Sequence, residues 1–256
     1  MRIDVYLCEN GLAASRTEAK KFIIAEAVKV NGAVVTKPAF DVPLDADVTV
    51  DKSSKKYVSR GGIKLEGALD AFDVNPEGRL AIDIGASSGG FTDCLLKRGA
   101  KHVIAVDSGT LQLVSSLRED PRVTSIENYN ARYMSAADLE YVPDLAVMDV
   151  SFISATYIIK PIYDCLSDCS DFICLVKPQF EVGRSNIGKG GIVKSEKARK
   201  DALDSVILYA KSVGFEYIHH ITSPIMGGDG NEEYLAHFKK RGQRTGENNE
   251  KNFYRY

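Results

Sequence analysis

The sequence lacks the features that mark several classes of protein. No apolar run approaches the roughly 20 residues of a membrane-spanning helix, and the N-terminus has no apolar signal-peptide core. The four histidines form no His-Glu-x-x-His pattern. The five cysteines, an odd number, include no Cys-x-x-Cys pair, so we interpret Cys165, Cys169 and Cys174 as buried thiols in a reducing cytoplasm. The sequence therefore predicts a cytoplasmic protein with no membrane segment, no disulfide framework and no metal site.

A strong excess of one charge is also missing. The net charge is −2 over 256 residues, so any surface that binds nucleic acid must be local. This length allows one large domain, or a medium domain with a small appendage. Residues 51–56 are polar and without periodicity, which is typical of a linker. We therefore predict a small domain with its linker at 1–56, a main domain at 57–240 and a polar tail at 241–256.

The chain is organised around residues 80–91, Leu-Ala-Ile-Asp-Ile-Gly-Ala-Ser-Ser-Gly-Gly-Phe. This pattern predicts a buried strand, a tight turn and the start of a helix. The glycines let the backbone approach a ligand, and such a turn presents free N–H groups. The spacing is not Gly-x-Gly-x-x-Gly, which argues against a dinucleotide. Asp83, directly before the turn, would repel a pyrophosphate and suits a positive group, such as the amino-acid end of S-adenosylmethionine.

Further strands are predicted at 102–106 and 123–126, with a helix at 111–117 between them. Strands that alternate with helices imply a parallel sheet in a three-layer α/β fold. Asp107 ends the second strand, about 20 residues past the turn, where an acidic side chain can bind ribose hydroxyls. Asn130 and Arg132 follow the third strand. For these two residues, a role in the site and a role as loop cap and surface charge fit about equally well.

Reactive side chains also lie at the ends of later elements. One predicted strand ends in Asp149 and another in Lys177, and the carboxyl ends of neighbouring parallel strands face the same crevice. Lys64 lies in the first turn of a predicted helix, where a cation is disfavoured, so it is either exposed or held there for a function. Glu233 follows a glycine-rich turn and opens the final strand.

Residues 183–200 are glycine-rich and then basic, with Arg184 and Lys189 in the first half. We predict a mobile loop that closes on an anionic polymer, with an ordinary solvated loop as the alternative. A helix to about Gly214 and a strand at 215–221 follow.

The first 50 residues predict two helices followed by a small sheet. Ser15 is a candidate N-cap of the second helix, with Glu18 as its capping-box partner. Asn31-Gly32 between two short β-type runs predicts a hairpin, and residues 47–50 a closing strand. Arg16, Lys20, Lys21 and Lys29 can form one basic strip that contacts phosphates.

This region resembles the small alpha-L RNA-binding domain first seen in a ribosomal small-subunit protein. The residues that carry the resemblance are Arg2-Ile3-Asp4, Ser15-Arg16-Thr17-Glu18-Ala19, Val28-Lys29-Val30-Asn31-Gly32 and Asp47-Val48-Thr49-Val50. Glu26 departs from the pattern, because the family usually has glycine there, and it adds a negative charge near the presumed RNA face. With the basic residues of the main domain, the predicted RNA-binding set is Arg2, Ser15, Arg16, Lys20, Lys21, Lys29, Arg60, Arg184 and Lys189.

Lys64, Asp149, Lys177 and Glu233 form a Lys-Asp-Lys-Glu set in chain order, which resembles the FtsJ-like ribose 2'-O-methyltransferases. Together with the N-terminal domain, the chain resembles the TlyA (so-called haemolysin A) family over nearly its whole length. The motifs are Ser59-Arg60-Gly61-Gly62-Ile63-Lys64-Leu65, residues 83–92, Asp149-Val150-Ser151-Phe152-Ile153-Ser154, Val176-Lys177-Pro178-Gln179-Phe180-Glu181 and Gly230-Asn231-Glu232-Glu233-Tyr234. We choose Glu233 over Glu232 because the family's acid directly precedes an aromatic residue.

The resemblance implies a Rossmann-like methyltransferase domain with a mostly parallel seven-stranded sheet and helices on both faces, preceded by a small α+β RNA-binding domain. It implies S-adenosylmethionine-dependent 2'-O-methylation of cytidine in ribosomal RNA, 16S, 23S or both, within ribosomal subunits. The catalytic set is then Lys64, Asp149, Lys177 and Glu233. The expected cofactor-binding residues are Asp83, Gly85, Ala86, Ser87, Gly89, Gly90, Phe91, Asp107, Asn130 and Asp149.

A ribose hydroxyl must lose its proton as it attacks the cofactor's methyl group. We take Lys177 as the candidate base, with Lys64 orienting the hydroxyl and sharing Asp149. An equally sound alternative is that both lysines only position the ribose. Two other classes compete, an RNA-binding or ribosome-assembly protein without turnover, and a cytolysin, as the family's older name suggests. The sequence has no segment that suits a pore, and its glycine spacing disfavours an NAD-dependent oxidoreductase.

Overall fold

The computed structural model describes residues 1–24, 27–51 and 56–242. Glu26, most of the predicted linker (52–55) and all but the first residues of the predicted tail (243–256) lie outside the described residues.

The N-terminal part contains two helices and a three-stranded antiparallel sheet with strand order β2-β1-β3. Its elements are α1 (Ile3–Glu9), α2 (Arg16–Ile24), β1 (Val28–Val30), β2 (Ala33–Val34) and β3 (Val48–Val50). Ser15 caps α2 as predicted, because its Oγ accepts the N–H of Glu18 at 3.1 Å, while the Glu18 carboxylate accepts from Ala14. Asn31 and Gly32 join β1 to β2 with positive φ angles of 51° and 79°, the conformation that a two-residue hairpin turn requires.

The larger part is built on a seven-stranded sheet with strand order β6-β5-β4-β7-β8-β10-β9. The strands are β4 (Leu80–Ile84), β5 (His102–Val106), β6 (Val123–Ile126), β7 (Leu145–Met148), β8 (Ser170–Val176), β9 (Phe215–Thr222) and β10 (Tyr234–Lys240). Strands β4 to β8 are parallel, and β10 lies antiparallel between β8 and β9. This arrangement confirms the predicted, mostly parallel, Rossmann-like sheet.

Helices cover both faces of this sheet. They are α3 (Gly61–Phe72), α4 (Gly90–Lys97), α5 (Ser115–Arg118), α6 (Thr156–Cys165), α7 (Pro178–Glu181) and α8 (Glu196–Val213). Because side chains alternate along a strand, Ala81 packs with Leu65 and Leu95 of α3 and α4, whereas Ile82 belongs to the core that contains Ile159 of α6. In the part of the chain that the structure describes, no helix is long and apolar enough to span a bilayer.

Three local predictions are wrong. The helix expected at 111–117 begins only at Ser115, because Leu111 has a φ angle of +54°, which a helix does not allow. The loop expected to continue to residue 200 ends at Ser195, whose Oγ caps α8. Cys169 is exposed, whereas Cys165 and Cys174 are buried as predicted.

Candidate active site

A cavity of about 540 Å³ opens where β4, β7 and β8 end. The carboxyl ends of parallel strands meet at one edge of a sheet, so residues distant in the chain converge there. Ten of the residues predicted from the sequence line this cavity, namely Arg60, Lys64, Gly85, Ala86, Ser87, Gly90, Phe91, Asp149, Lys177 and Glu233. Asp83, Gly89, Asp107 and Asn130 lie outside its wall.

Lys177 forms an ion pair with Asp149 at the ends of two neighbouring strands. The Nζ atom lies 2.6 Å from Asp149 Oδ1 and donates to Ser151 Oγ at 2.8 Å. The Lys177 side chain is only 12% exposed. Burial alone would lower the pKa of Lys177, but Asp149, Glu233 and Asp229 outweigh it and hold that pKa above its ordinary value. Lys177 is therefore protonated in the free protein.

Lys64 forms a second, more deeply buried ion pair, with Glu233 at 2.5 Å. Lys64 reaches the cavity from the first turn of α3, and Glu233 directly precedes β10. We expected Lys64 to share Asp149; instead its ion pair is with Glu233, because the antiparallel β10 brings that acid beside β8. The adjacent Glu232 is bound by Arg199 at 3.1 Å. The geometry thus gives each lysine its own carboxylate.

The glycine turn after β4 lies against the end of β7. Gly85 has a φ angle of +82°, and a Cβ atom there would overlap the carbonyl oxygen of Asp149. Gly89 has a φ angle of +95° and is the N-cap residue of α4, as the conformational freedom of glycine allows. The turn and the Lys177–Asp149 pair are therefore directly packed on each other.

Replacing Gly85 by alanine is expected to lower both stability and activity. Positive φ alone costs about 1–3 kcal/mol, and the overlap must in addition displace Asp149, with a loss of kcat of at least about tenfold. Gly78→Ala is the matched control, because Gly78 has a φ angle of +73° with nothing within 4 Å of the new Cβ. Urea unfolding of the two variants measures the cost of the strain, and their methyl-transfer rates measure the effect of displacing Asp149. Equal losses of activity in the two variants would contradict the role given to the contact between Gly85 and Asp149.

Asp83 is completely buried at the end of β4. Its Oδ2 accepts a hydrogen bond from Thr92 at 2.6 Å, and its Oδ1 has no hydrogen-bond partner among the described residues. Burial raises the pKa of Asp83 to about 7, helped by repulsion from Asp149 and Asp107 and opposed by the Thr92 hydroxyl. Asp83 lies behind the glycine turn and outside the cavity wall, so its unpaired charge suits a positive group bound at that turn, such as the ammonium group of an amino-acid moiety. The residues present therefore fit S-adenosylmethionine.

The raised pKa of Asp83 predicts opposite effects on stability and cofactor binding. The folded pKa of about 7 exceeds the ordinary 3.8, so this group makes the free protein less stable as pH rises from about 4 to about 7. A positive ligand group prefers the ionised form, so cofactor affinity should rise over the range from about pH 6 to about pH 8.

Asp83→Asn should therefore bind S-adenosylmethionine about tenfold or more weakly, without this pH dependence, yet unfold at a higher temperature above about pH 7. Titration calorimetry and thermal unfolding at several pH values measure both quantities. Asp164→Asn, at an exposed ion pair on α6, is the control. Unchanged pH dependence in Asp83→Asn would contradict the role given to this carboxylate.

Asp107 and Asn130 are engaged by the backbone of nearby loops. The Asp107 carboxylate accepts the N–H groups of Ser87 at 2.7 Å and Gly109 at 2.6 Å. Asn130 Oδ1 accepts the N–H of Arg132, so the Asn130 side chain caps its own loop in this structure. Their roles in binding the cofactor stay predictions.

The predicted RNA-binding residues fall into three groups. Arg2 and Arg16 both bind the buried Asp4, at 3.0 and 2.8 Å, and Arg16 is the main reason why the pKa of Asp4 is lowered. Ser15 is occupied as a helix cap. Five further members of the set are exposed, namely Lys20, Lys21, Lys29, Arg184 and Lys189. Arg60 lines the cavity and donates to the carbonyl of Met226.

Sequence reasoning passed over several residues around Lys177. Phe152 and Phe180 line the cavity with ring centroids 5.2 Å apart, and Phe152 is 92% exposed at a φ angle of +64°. Gln179 donates to Asp229 at 3.1 Å, and Glu181 binds the loop after β7. All four belong to the two motifs that carry the family resemblance after Asp149 and Lys177, but the sequence analysis gave them no role.

Two known families match this chain, one in each of its two parts. The model of the FtsJ-like methyltransferase family matches residues 57–240, and the model of the S4 domain matches residues 1–48.

Similar proteins match over nearly the whole chain. "Hemolysin A" of Brachyspira hyodysenteriae is 44% identical over 239 residues, covering 93% of this chain and 99% of that protein. The 16S/23S rRNA (cytidine-2'-O)-methyltransferase TlyA of Mycobacterium tuberculosis is 41% identical over 245 residues, 95% of this chain and 91% of that protein. A solved structure from Streptococcus thermophilus, provisionally named a hemolysin, is 43% identical with a TM-score of 0.75, covering 94% of this chain and 88% of that one. The chain belongs to the FtsJ-like methyltransferase family, carries an S4 domain before the methyltransferase domain, and groups with the TlyA and hemolysin A proteins.

Proposed function

We propose that the protein methylates the 2'-hydroxyl of cytidine in ribosomal RNA, with S-adenosylmethionine as methyl donor. The observation that carries the proposal is the pair of lysine–carboxylate contacts, Lys177–Asp149 and Lys64–Glu233, in one cavity with the glycine turn. The cofactor, when bound, supplies a methyl group on a positively charged sulfur. Residues 85–91 would hold it, and the charge of Asp83 behind the turn would favour its ammonium group.

Lys177 is proposed to take the proton of the attacking hydroxyl. A weak nucleophile such as a ribose hydroxyl gains most from a base held within hydrogen-bond distance. Lys177 is protonated in the free protein, so it must first release that proton to solvent through the open cavity before it takes the proton of the hydroxyl. A positive ligand group beside Lys177 lowers the pKa of that lysine, because it repels the ammonium ion. Asp149 holds the Lys177 side chain in place in the free protein, before the cofactor and the RNA bind.

Lys64 is proposed to orient the ribose. Its charge is balanced by Glu233, and both groups line the cavity while being almost completely buried. A fixed ammonium group with a remaining N–H can donate to a ribose or phosphate oxygen. Correct placement of the hydroxyl alone is worth several kcal/mol in such a reaction.

RNA binding is proposed for the S4 domain and the loop before α8. Lys20, Lys21 and Lys29 lie exposed on the small domain, and Arg184 and Lys189 on the loop. Contacts of this kind position the RNA through its phosphates without reading its sequence. We expect the substrate within ribosomal subunits in the cytoplasm, with 16S and 23S RNA both to be tested, as the name of the mycobacterial relative suggests.

The test is transfer of labelled methyl to small and large ribosomal subunits from a strain that lacks this gene. Label in the RNA supports the proposal. Cofactor binding without label in either subunit would favour the alternative, a binding or assembly protein without turnover. Release of dye from liposomes by the pure protein would instead support the cytolysin activity that the hemolysin names suggest.

A further inference from the structure

The loop between β7 and α6 is fastened to the short helix α7. This loop, residues 149–155, begins with Asp149, while α7 directly follows Lys177. The two segments touch along their length. Lys177 contacts Asp149 and Ser151, and the ring of Phe180 packs on that of Phe152.

Glu181 forms the far end of this contact. Its Oε1 accepts the N–H of Ala155 at 2.8 Å, and its Oε2 accepts the hydroxyl of Ser154 at 2.6 Å. Ala155 is the N-cap residue of α6, and an alanine side chain cannot cap a helix. The carboxylate of Glu181 instead accepts the Ala155 N–H from another helix, at the end of α6 where a negative charge is favourable, while Ser154 Oγ accepts the N–H of Thr156 at 3.3 Å.

The loop needs such a fastening, because part of it is strained. Phe152 has a φ angle of +64°, which costs a residue with a Cβ about 1–3 kcal/mol unless the surroundings impose it. The ring of Phe152 is exposed, so burial of apolar surface does little to offset this cost. The loop is therefore held at both ends, by Lys177 at Asp149 and by Glu181 at Ser154 and Ala155. The backbone N–H of Asp149 also donates to the carbonyl of Ile84 at 2.9 Å. Losing the Glu181 end therefore frees residues 150–155, which include Ser151 beside the Lys177 amine.

We propose that Glu181 is a positioning residue for methyl transfer, which fixes the loop that carries Ser151 and so sets the place of the Lys177 amine. The inference rests on the proposed function. Glu181 is outside the cavity wall and acts only through the loop. Displacing a catalytic group by about 1 Å is enough to cost about 100-fold in rate.

The experiment compares Glu181→Ala with Glu181→Gln in the full-length protein. The alanine variant removes both acceptors and should lower kcat about 10- to 100-fold, with KM for ribosomal subunits and Kd for S-adenosylmethionine changed less than about threefold. Glutamine can still accept from Ala155 and pair with Ser154, so it should restore most of the rate. Glu196→Ala, at an exposed ion pair on α8, is the control.

A second readout needs no substrate. Hydrogen exchange of the Ala155 amide should become at least about tenfold faster in Glu181→Ala and stay slow in Glu181→Gln. Ser154→Ala, which keeps the Ala155 contact, covers the case in which Glu181→Ala does not fold, and should lose less rate while the amide stays protected. Wild-type kcat in Glu181→Ala, or a glutamine variant as slow as the alanine variant, would overturn the proposal. An inactive wild-type protein would refute the proposed function instead, and the exchange rates would still decide whether Glu181 holds the loop.

Discussion

Replacing Lys177 by alanine is expected to lower kcat for methyl transfer by about 10²- to 10⁴-fold, the range typical of a lost general base. Cofactor binding should change little, because the turn at Gly85–Gly90 and Asp83 are untouched. Lys177→Arg separates the two roles considered for this residue. Arginine keeps the charge near Asp149 but does not lose its proton, since its pKa exceeds about 12.

If Lys177 acts as a base, Lys177→Arg should be as inactive as Lys177→Ala. If Lys177 only positions the ribose, Lys177→Arg should keep partial activity. The rate of the wild-type enzyme should rise with pH, because Asp149 and the other carboxylates hold the pKa of Lys177 above its ordinary value despite burial. Lys160→Ala, at an exposed pair with Asp164, is the control. Full activity of Lys177→Ala would show that Lys177 takes no part in methyl transfer.

Replacing Lys64 by methionine is expected to lower the free energy of unfolding by about 3–5 kcal/mol, as for other buried ion pairs that lose one partner. Glu233 is only 2% exposed, so its charge would be left in a poorly solvated place. Urea unfolding measures the change. Methyl transfer should fall as well, since Lys64 lines the cavity.

The double variant Lys64→Met, Glu233→Leu should recover most of the lost stability but none of the activity, because apolar side chains of similar volume replace a buried pair at little cost. Lys160→Ala should change stability far less, because that pair is exposed and screened by water. A Lys64→Met variant as stable as the wild type would show that the Lys64–Glu233 pair is solvated in solution.

Local patterns in the sequence were enough to predict most of the fold. The alternation of apolar strands with helices predicted parallel strands, and parallel strands place Asp149 and Lys177 at one edge of the sheet. The hairpin at Asn31-Gly32 followed from the backbone preferences of those residues. The prediction of a helix at 111–117 was wrong. Leu113 and Leu117 are both buried and lie four residues apart, as on one face of a helix, but the positive φ angle of Leu111 puts a turn there instead.

Pairings that depend on tertiary structure were beyond the sequence. Lys64 meets Glu233 only because β10 inserts antiparallel between β8 and β9. Asp4 binds Arg2 locally, two residues away, but it meets Arg16 only through the packing of α1 on α2. Glu181 binds a loop that lies 26 residues earlier. The sequence thus predicted the residues of the lysine–carboxylate set and the contact of Lys177 with Asp149, but not the pairing of Lys64 with Glu233.

The central claim is tested most directly by identifying the methylated nucleoside. Ribosomal subunits from a strain lacking this gene are incubated with the protein and labelled S-adenosylmethionine, and the RNA is digested to nucleosides for mass spectrometry. The account predicts label in 2'-O-methylcytidine with the wild-type protein and none with Lys177→Ala. Label on a base, label on the ribose of another nucleoside, or cofactor binding without any label would contradict it.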